Sequence, residues 1–211
     1  MTADAGSPMD MATRERTDLA DYLSTLTESQ WQAPSLCAEW SVKDVVAHMI
    51  SYEELGFTGL LTRFAKGRIT RANDVGVREY GALSTDELTD FVRAHARPSG
   101  LTSGLGGMIG LVDGTIHHQD IRRALHHPRA IAAAHLEVIV PSIPTNPRLG
   151  AWRRIRGLSL VATDIEWRRG TGPEITGPAE ALMMAMSGRA DALRDLHGAG
   201  VEILASRQPS D

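Results

Sequence analysis

Residues 108–125, MIGLVDGTIHHQDIRRAL, form the most informative segment of the chain. At about 100° of rotation per residue in an α-helix, Asp113, His117 and Asp120 fall within a sector of roughly 60°. Isoleucine and leucine residues lie on both sides of that sector, so the polar stripe is not the usual solvent-facing surface of a helix. The segment therefore predicts a helix with buried carboxylate and imidazole groups, which need partners because an unpaired buried charge is costly.

The spacing of these residues fits two interpretations of the polar stripe, a metal site and a local ion pair. Asp113 and His117 are one helical turn apart, a spacing that lets both side chains bind one metal ion. An Asp and a His at this spacing are also common as a local ion pair. Asp120 is placed to hydrogen-bond the imidazole of a metal-binding histidine and so to orient it.

A second helix supplies one further candidate, His48. Ser41 and Asp44 form a capping box that begins this helix, and Trp40 stands where a hydrophobic staple is expected. His48 lies about 130° from the centre of the apolar stripe, which by itself predicts an edge or surface position. In a four-helix bundle, however, one ligand from one helix can meet a pair from another. Three such ligands would leave an open coordination position, the pattern of catalytic zinc sites.

Helices come first along the chain and a small mixed sheet follows, which predicts the α+β class, mainly α. The first part is expected to be a bundle of four helices, with residues 67–81 as a polar loop. Three prolines between residues 141 and 147 indicate a linker, and residues 201–204 are expected to form a last strand. The predicted boundaries are a disordered N-terminus (1–8), a helical bundle (9–140), a linker (141–150), a small α+β domain (151–205) and a tail (206–211).

Composition excludes several classes of protein. A net charge of −4 over 211 residues argues against a general nucleic-acid binder. No apolar run approaches the roughly 20 residues of a membrane span, and the N-terminus lacks the pattern of a secretory signal, so we expect a cytoplasmic protein without a membrane partner. The single cysteine, Cys37, excludes a disulfide framework and a cysteine-based zinc site. Cys37 is either a reactive thiol or, more commonly for such residues, a small buried hydrophobe.

Three ordered motifs carry a resemblance to a known family. SLCAEWSVKDVVAH (35–48) resembles the second-helix motif of DinB-like bundles, and DGTIHHQDIRRAL (113–125) resembles their fourth-helix motif. ATDIEW (162–167), GPAEAL (177–182) and SGR (187–189) resemble a small C-terminal domain similar to sterol-carrier proteins. More narrowly, these motifs are similar to the mycothiol-dependent maleylpyruvate isomerase family, and the resemblance spans nearly the whole chain.

The resemblance implies a role for particular residues. It implies a divalent metal, with zinc first and nickel or another ion as alternatives, bound by His48, Asp113 and His117. This sequence has Asp113 where the isomerase has Glu, and the shorter arm changes the reach of the ligand. The resemblance also implies an active-site arginine from the C-terminal domain, for which Arg189 is the candidate. Alternatively, Arg189 pairs with a nearby carboxylate at the start of the next helix.

The implied activity is that of a metal-dependent enzyme using mycothiol as thiol cosubstrate on a small electrophilic substrate. An isomerase is expected if a thiol adduct rotates and expels the thiol, and an S-transferase in detoxification is the alternative. A non-catalytic small-molecule or lipid-binding module with a degenerate metal site is a third reading. Twenty arginines against two lysines fit the GC-rich actinobacteria that use mycothiol, and the chain is expected to be a monomer or homodimer.

Overall fold

The computed structural model describes residues 6–53 and 72–209. Contacts divide the chain into two compact units, Met1–Pro128 and Arg129–Asp211. The first unit is helical and the second combines short helices with a three-stranded sheet. The predicted α+β class, mainly α, is therefore confirmed.

The described helices of the first unit begin at side-chain caps that are visible in the sequence. They are α1 (Pro8–Leu23), α2 (Glu28–Trp31), α3 (Val42–Ile50), α4 (Ala72–Tyr80), α5 (Thr85–Ala94) and α6 (Met108–Ala124). In each capping box, the serine or threonine hydroxyl accepts a hydrogen bond from the backbone N–H three residues later. The side chain of that later residue accepts a hydrogen bond from the backbone N–H of the serine or threonine. These boxes begin at Ser7, Thr27, Ser41 and Ser84.

A glycine-rich segment directly precedes α6. Residues Gly100–Gly107 form 3₁₀ turns that are interrupted by non-helical backbone between Gly104 and Gly106. Gly107 has φ +92°, and a Cβ at that position would lie 2.6 Å from Cα of Met9. The close approach of α1 thus requires glycine where α6 begins, both for the backbone conformation and for the space.

Apolar residues from α1, α3, α5 and α6 form one core cluster in the first unit. The fully buried members include Leu19, Val45, Leu88 and Ile121. Of the helices that the structure describes, none is both long enough and apolar enough to cross a bilayer.

The helix α4 corrects the expected polar loop at residues 67–81. Residues 72–80 are helical and contact α3, and Tyr80 packs against the core cluster. Tertiary packing outweighs the polar composition here, as is common for short helices. The sequence also predicts that the helix beginning at Ser41 extends toward residues 60–64, and this part of the chain lies outside the described residues.

Over its described residues, 129–209, the second unit contains three strands and several short helical segments. The α-helices are α7 (Ala133–Ile139), α8 (Ala151–Arg154), α9 (Ala179–Met186) and α10 (Val201–Ala205). The strands β1 (Ser159–Ala162), β2 (Arg168–Gly170) and β3 (Glu174–Gly177) have the order β2–β1–β3. β1 pairs antiparallel with β2 and parallel with β3. Every residue of α9 except Glu180 is buried, and α9 packs on β1 and β3.

The proline-rich segment expected to be a linker is folded within the second unit. Residues Val140–Thr145 form 3₁₀ turns, and Val140, Ile143 and Pro144 are buried. Proline is compatible with the first turn of a helix because the N–H it lacks has no partner there. The division between the two units falls before this segment, at Pro128.

Residues 201–204 were expected to form a strand and instead belong to α10, so that prediction was wrong. A short apolar run fits either element, and the Leu204 N–H donates to the Gly200 carbonyl to close a helical turn. The place beside β3 is taken by His197, which exchanges two backbone hydrogen bonds of 2.8 Å with Thr176.

Candidate metal centre

α3 and α6 bring His48, Asp113 and His117 together. The Asp113 Oδ1 atom lies 4.0 Å from His48 Nε2 and 3.6 Å from His117 Nε2. One ligand atom from each of the three side chains lies within 4.8 Å of the others. The two imidazole rings are 5.0 Å apart between centroids and nearly perpendicular. Both histidines are buried, while Asp113 is about one-third exposed.

The position of His48 follows from the start of α3. Ser41 accepts a hydrogen bond from the Asp44 N–H, and the Asp44 carboxylate accepts one from the Ser41 N–H. This cap fixes the phase of the helix and places His48 in its last turn. Periodicity places His48 at the edge of α3. Because α6 contacts α3 and covers this edge, His48 is only 6% exposed.

Asp120 fixes the orientation of the His117 ring. Its Oδ2 atom lies 2.9 Å from His117 Nδ1, and the Asp120 side chain is fully buried. When the ring is neutral, a hydrogen bond donated by Nδ1 leaves the lone pair of Nε2 on the side of Asp113 and His48. This arrangement of carboxylate, imidazole and candidate ligand site matches the outer partners found at protein metal sites.

Cys37 also contacts this buried carboxylate, which the sequence did not indicate. Its thiol donates to Asp120 Oδ2 at 3.1 Å, and its sulfur lies 3.7 Å from His117 Nδ1. The neighbouring Leu36 N–H donates to the Asp120 carbonyl. Residues 35–40 form an irregular loop, and no periodic pattern relates them to α6, so the contact could not be predicted.

The electrostatics of the site favour a positive charge. Burial alone lowers the pKa of His117, but the charge of Asp113 and the hydrogen bond to Asp120 together hold this pKa well above its usual value. Two carboxylates thus surround one imidazole in a water-poor setting, where charges interact strongly.

The donor set fits a small divalent cation. Ligand atoms at about 2.1 Å from a tetrahedral zinc ion lie about 3.4 Å from one another. The observed separations of 3.6 and 4.0 Å are close to this value, and the shorter arm of Asp113 still reaches both imidazoles. Two imidazoles and one carboxylate are typical zinc ligands, and three of them leave one position open.

Aromatic side chains surround His48. The ring centroid of Trp40 lies 4.9 Å from that of His48, and Tyr52 lies 5.9 Å from it on an edge-to-face contact. Trp40 also packs against the core cluster, so it contacts both the hydrophobic core and the candidate metal ligand His48. Trp167, a second tryptophan that could line a pocket, lies in the second unit, between β1 and β2 in sequence.

Arg189 lies in the second unit, directly after α9. Its Nη1 donates to the Ser187 carbonyl at 2.8 Å. Burial and the nearby charge of Arg189 lower the pKa of Arg154. The adjacent Asp191 pairs with Arg194.

His118, the next residue after His117, belongs to a separate buried network. Arg122 Nε donates to His118 Nε2 at 2.8 Å, so His118 Nδ1 carries the proton and donates to Glu15 Oε1 at 2.8 Å. The Arg122 guanidinium also lies 3.8 Å above the Tyr22 ring. This histidine links α1 to α6, and its side chain has a structural role.

Comparisons with known proteins agree with this architecture. Residues 12–102 match the family model described as the mycothiol maleylpyruvate isomerase N-terminal domain. The chain has the fold of the crystal structure of the mycothiol-dependent maleylpyruvate isomerase, with a TM-score of 0.59, 12% identity and 91% of each chain covered. A histidine-to-alanine mutant of that enzyme gives a TM-score of 0.57 at the same identity and coverage. No curated protein matches the sequence.

Proposed function

We propose that this chain, whose residues 12–102 match the family model of the mycothiol maleylpyruvate isomerase N-terminal domain, is a metal- and thiol-dependent isomerase or transferase. Its substrate would be a small electrophile, its cosubstrate mycothiol and its location the cytoplasm. The observation that carries the proposal is the convergence of His48, Asp113 and His117 around one point between α3 and α6.

His48, Asp113 and His117 would hold the metal, with zinc as the first candidate. A divalent ion bound there lowers the pKa of a thiol ligand, so that a nucleophilic thiolate is present near neutral pH. Asp120 holds the His117 ring through Nδ1 and thereby leaves Nε2 on the side of Asp113 and His48, where it would serve as a metal ligand. Because these three residues would be the only protein ligands proposed, the cosubstrate sulfur would bind the same metal directly.

The surrounding side chains would control access and charge. Trp40 and Tyr52 cover His48 and limit water near the site, which strengthens electrostatic interactions there. Asp113 is partly exposed, so the site is open toward solvent on its side. Arg189 is the proposed contact for a substrate carboxylate, because a guanidinium can bind such a group through two parallel hydrogen bonds.

The proposal is tested by assaying the zinc-loaded and the chelator-treated protein with mycothiol and a panel of electrophiles. The panel contains cis-configured unsaturated keto acids for isomerisation and alkyl halides for transfer. Turnover that requires both thiol and metal is expected. Retention of a compound without turnover would contradict an enzyme and support the binding-module alternative.

Replacing Asp120 by Asn is expected to weaken zinc binding by about 10- to 100-fold, as for other residues that orient metal ligands. The variant keeps all three proposed ligands but removes the charge that fixes His117. Zinc affinity is measured by competition with a chromophoric chelator, on protein whose folding is checked by circular dichroism. The exposed Asp90→Asn variant is the control for charge alone. An Asp120→Asn protein with reduced thermal stability but unchanged zinc affinity would assign Asp120 a purely structural role.

A further inference from the structure

The second unit contains an open cavity of about 280 Å³ that the proposed reaction does not use. Its apolar lining includes Trp152, Ile155, Leu158 and Leu160, and its charged lining consists of Arg156 and Arg169. We propose that this cavity binds a small amphipathic carboxylate, with the apolar body against the leucines and Trp152 and the carboxylate between the two guanidinium groups.

The shape of the cavity is set by the start of the sheet. Arg169 lies opposite Leu160 in the β1–β2 register, so both side chains lie on the same face of the sheet. Gly170 follows with φ +83°, and a Cβ there would lie 2.2 Å from the Leu158 carbonyl oxygen. β2 can therefore approach β1 closely, which places Arg169 next to the apolar lining of the cavity.

The apolar lining combines one exposed side chain with buried ones. Trp152 is 51% exposed, whereas Ile155, Leu158 and Leu160 are buried. Small-molecule sites are typically concave, mostly apolar and furnished with a few polar groups. The volume is near the lower limit of about 300 Å³ for such sites, which indicates a short ligand.

The charged part of the lining lacks a matching negative charge. Within the described part of the chain, neither Arg156 nor Arg169 forms an ion pair with a carboxylate. The neighbouring Arg168 differs, since its Nη2 lies 3.8 Å from Glu174 Oε2. Two guanidinium groups at the edge of an apolar cavity are complementary to a ligand with one anionic end.

The inference is tested with octanoate as the probe, titrated into the full-length protein and followed by calorimetry and tryptophan fluorescence. Saturable binding of one octanoate per chain is expected, and 1-octanol, which has the same apolar chain without the charge, binds more weakly. The double variant Arg156→Gln/Arg169→Gln is expected to raise the octanoate Kd about tenfold or more, because two charge-assisted contacts are lost. Trp152→Phe is expected to remove the fluorescence change and to keep the calorimetric signal.

The matched control is Arg168→Gln, which changes the adjacent arginine of the same strand. Its octanoate Kd is expected to stay within about twofold of the wild type, since alternation places this side chain on the other face. Non-saturable binding, equal binding of 1-octanol, or an equal loss in Arg168→Gln would overturn the inference. Binding to anionic lipid vesicles with none to free octanoate would also overturn it, in favour of a membrane surface. Because chelator-treated protein is expected to bind octanoate equally well, the result is independent of the proposed metal- and thiol-dependent activity.

Discussion

The variant His117→Ala is expected to bind zinc at least about 100-fold more weakly than the wild type. Removal of residues that merely orient a ligand costs about 10- to 100-fold, so loss of a ligand should cost no less. In the structure, His117 is also the residue that connects the candidate ligand set to Asp120. Its loss would leave His48 and Asp113, separated by 4.0 Å, as an incomplete pair.

Zinc content is measured by mass spectrometry on protein purified without a histidine tag, and affinity by chelator competition. Thermal stability supplies a second readout, because a ligand that binds only the folded state raises Tm. Zinc should raise the Tm of the wild type and leave that of His117→Ala unchanged. His126→Asn is the matched control: it changes an exposed histidine just beyond the same helix and should retain normal zinc binding. Equal, negligible zinc in the wild type and His117→Ala would refute the metal site.

The candidate site shows which features a sequence can predict. Asp113, His117 and Asp120 share one helix, so their spacing fixes their relative directions. The box at Ser41 likewise defines the start and phase of α3. The contact of His48 with these residues depends on which edge of α3 faces α6, and the periodicity of α3 alone predicted only an edge or surface position. The convergence therefore came from the family resemblance and the bundle geometry.

Other features depend on long-range packing that no local pattern encodes. Cys37 reaches Asp120 from an irregular loop 83 residues away in sequence. The helix α4 forms from a polar segment because Tyr80 packs against the core cluster. The short run at residues 201–204 fits a strand as well as a helix, and the bridge between Thr176 and His197 decides between them. Residues far apart in sequence determine each of these outcomes.

The second large effect is expected at Glu53, where Glu53→Gln should destabilise the protein by about 3 kcal/mol or more. Its carboxylate is fully buried and accepts hydrogen bonds from Arg16 Nη2 and Thr102 Oγ1, both at 2.6 Å, and from the Ser99 N–H at 2.8 Å. Replacing the carboxylate by an amide leaves the buried Arg16 guanidinium without a countercharge. Removing one partner of a buried ion pair is strongly destabilising because the remaining charge stays buried and uncompensated. Urea denaturation at constant pH measures the change in the free energy of unfolding.

Asp21→Asn is the matched control, since Asp21 pairs with Arg93 at 3.7 Å on an exposed surface. Exposed ion pairs contribute little, so a loss below about 1 kcal/mol is expected there. A Glu53→Gln protein as stable as Asp21→Asn would show that the Glu53 carboxylate does not stabilise the fold through its charge.

The environment of Glu53 also predicts that an apolar replacement of the pair will fail. Buried ion pairs can often be exchanged for hydrophobic residues without loss, because two desolvated charges disappear together. Here the Ser99 N–H also depends on the carboxylate and would be left without this acceptor, whereas the Thr102 hydroxyl can donate to the Ser99 carbonyl instead, at 2.8 Å. Arg16→Met/Glu53→Leu should therefore remain destabilised by about 2 kcal/mol, the cost of one unsatisfied buried donor. A double variant as stable as the wild type would mean that this donor finds another acceptor.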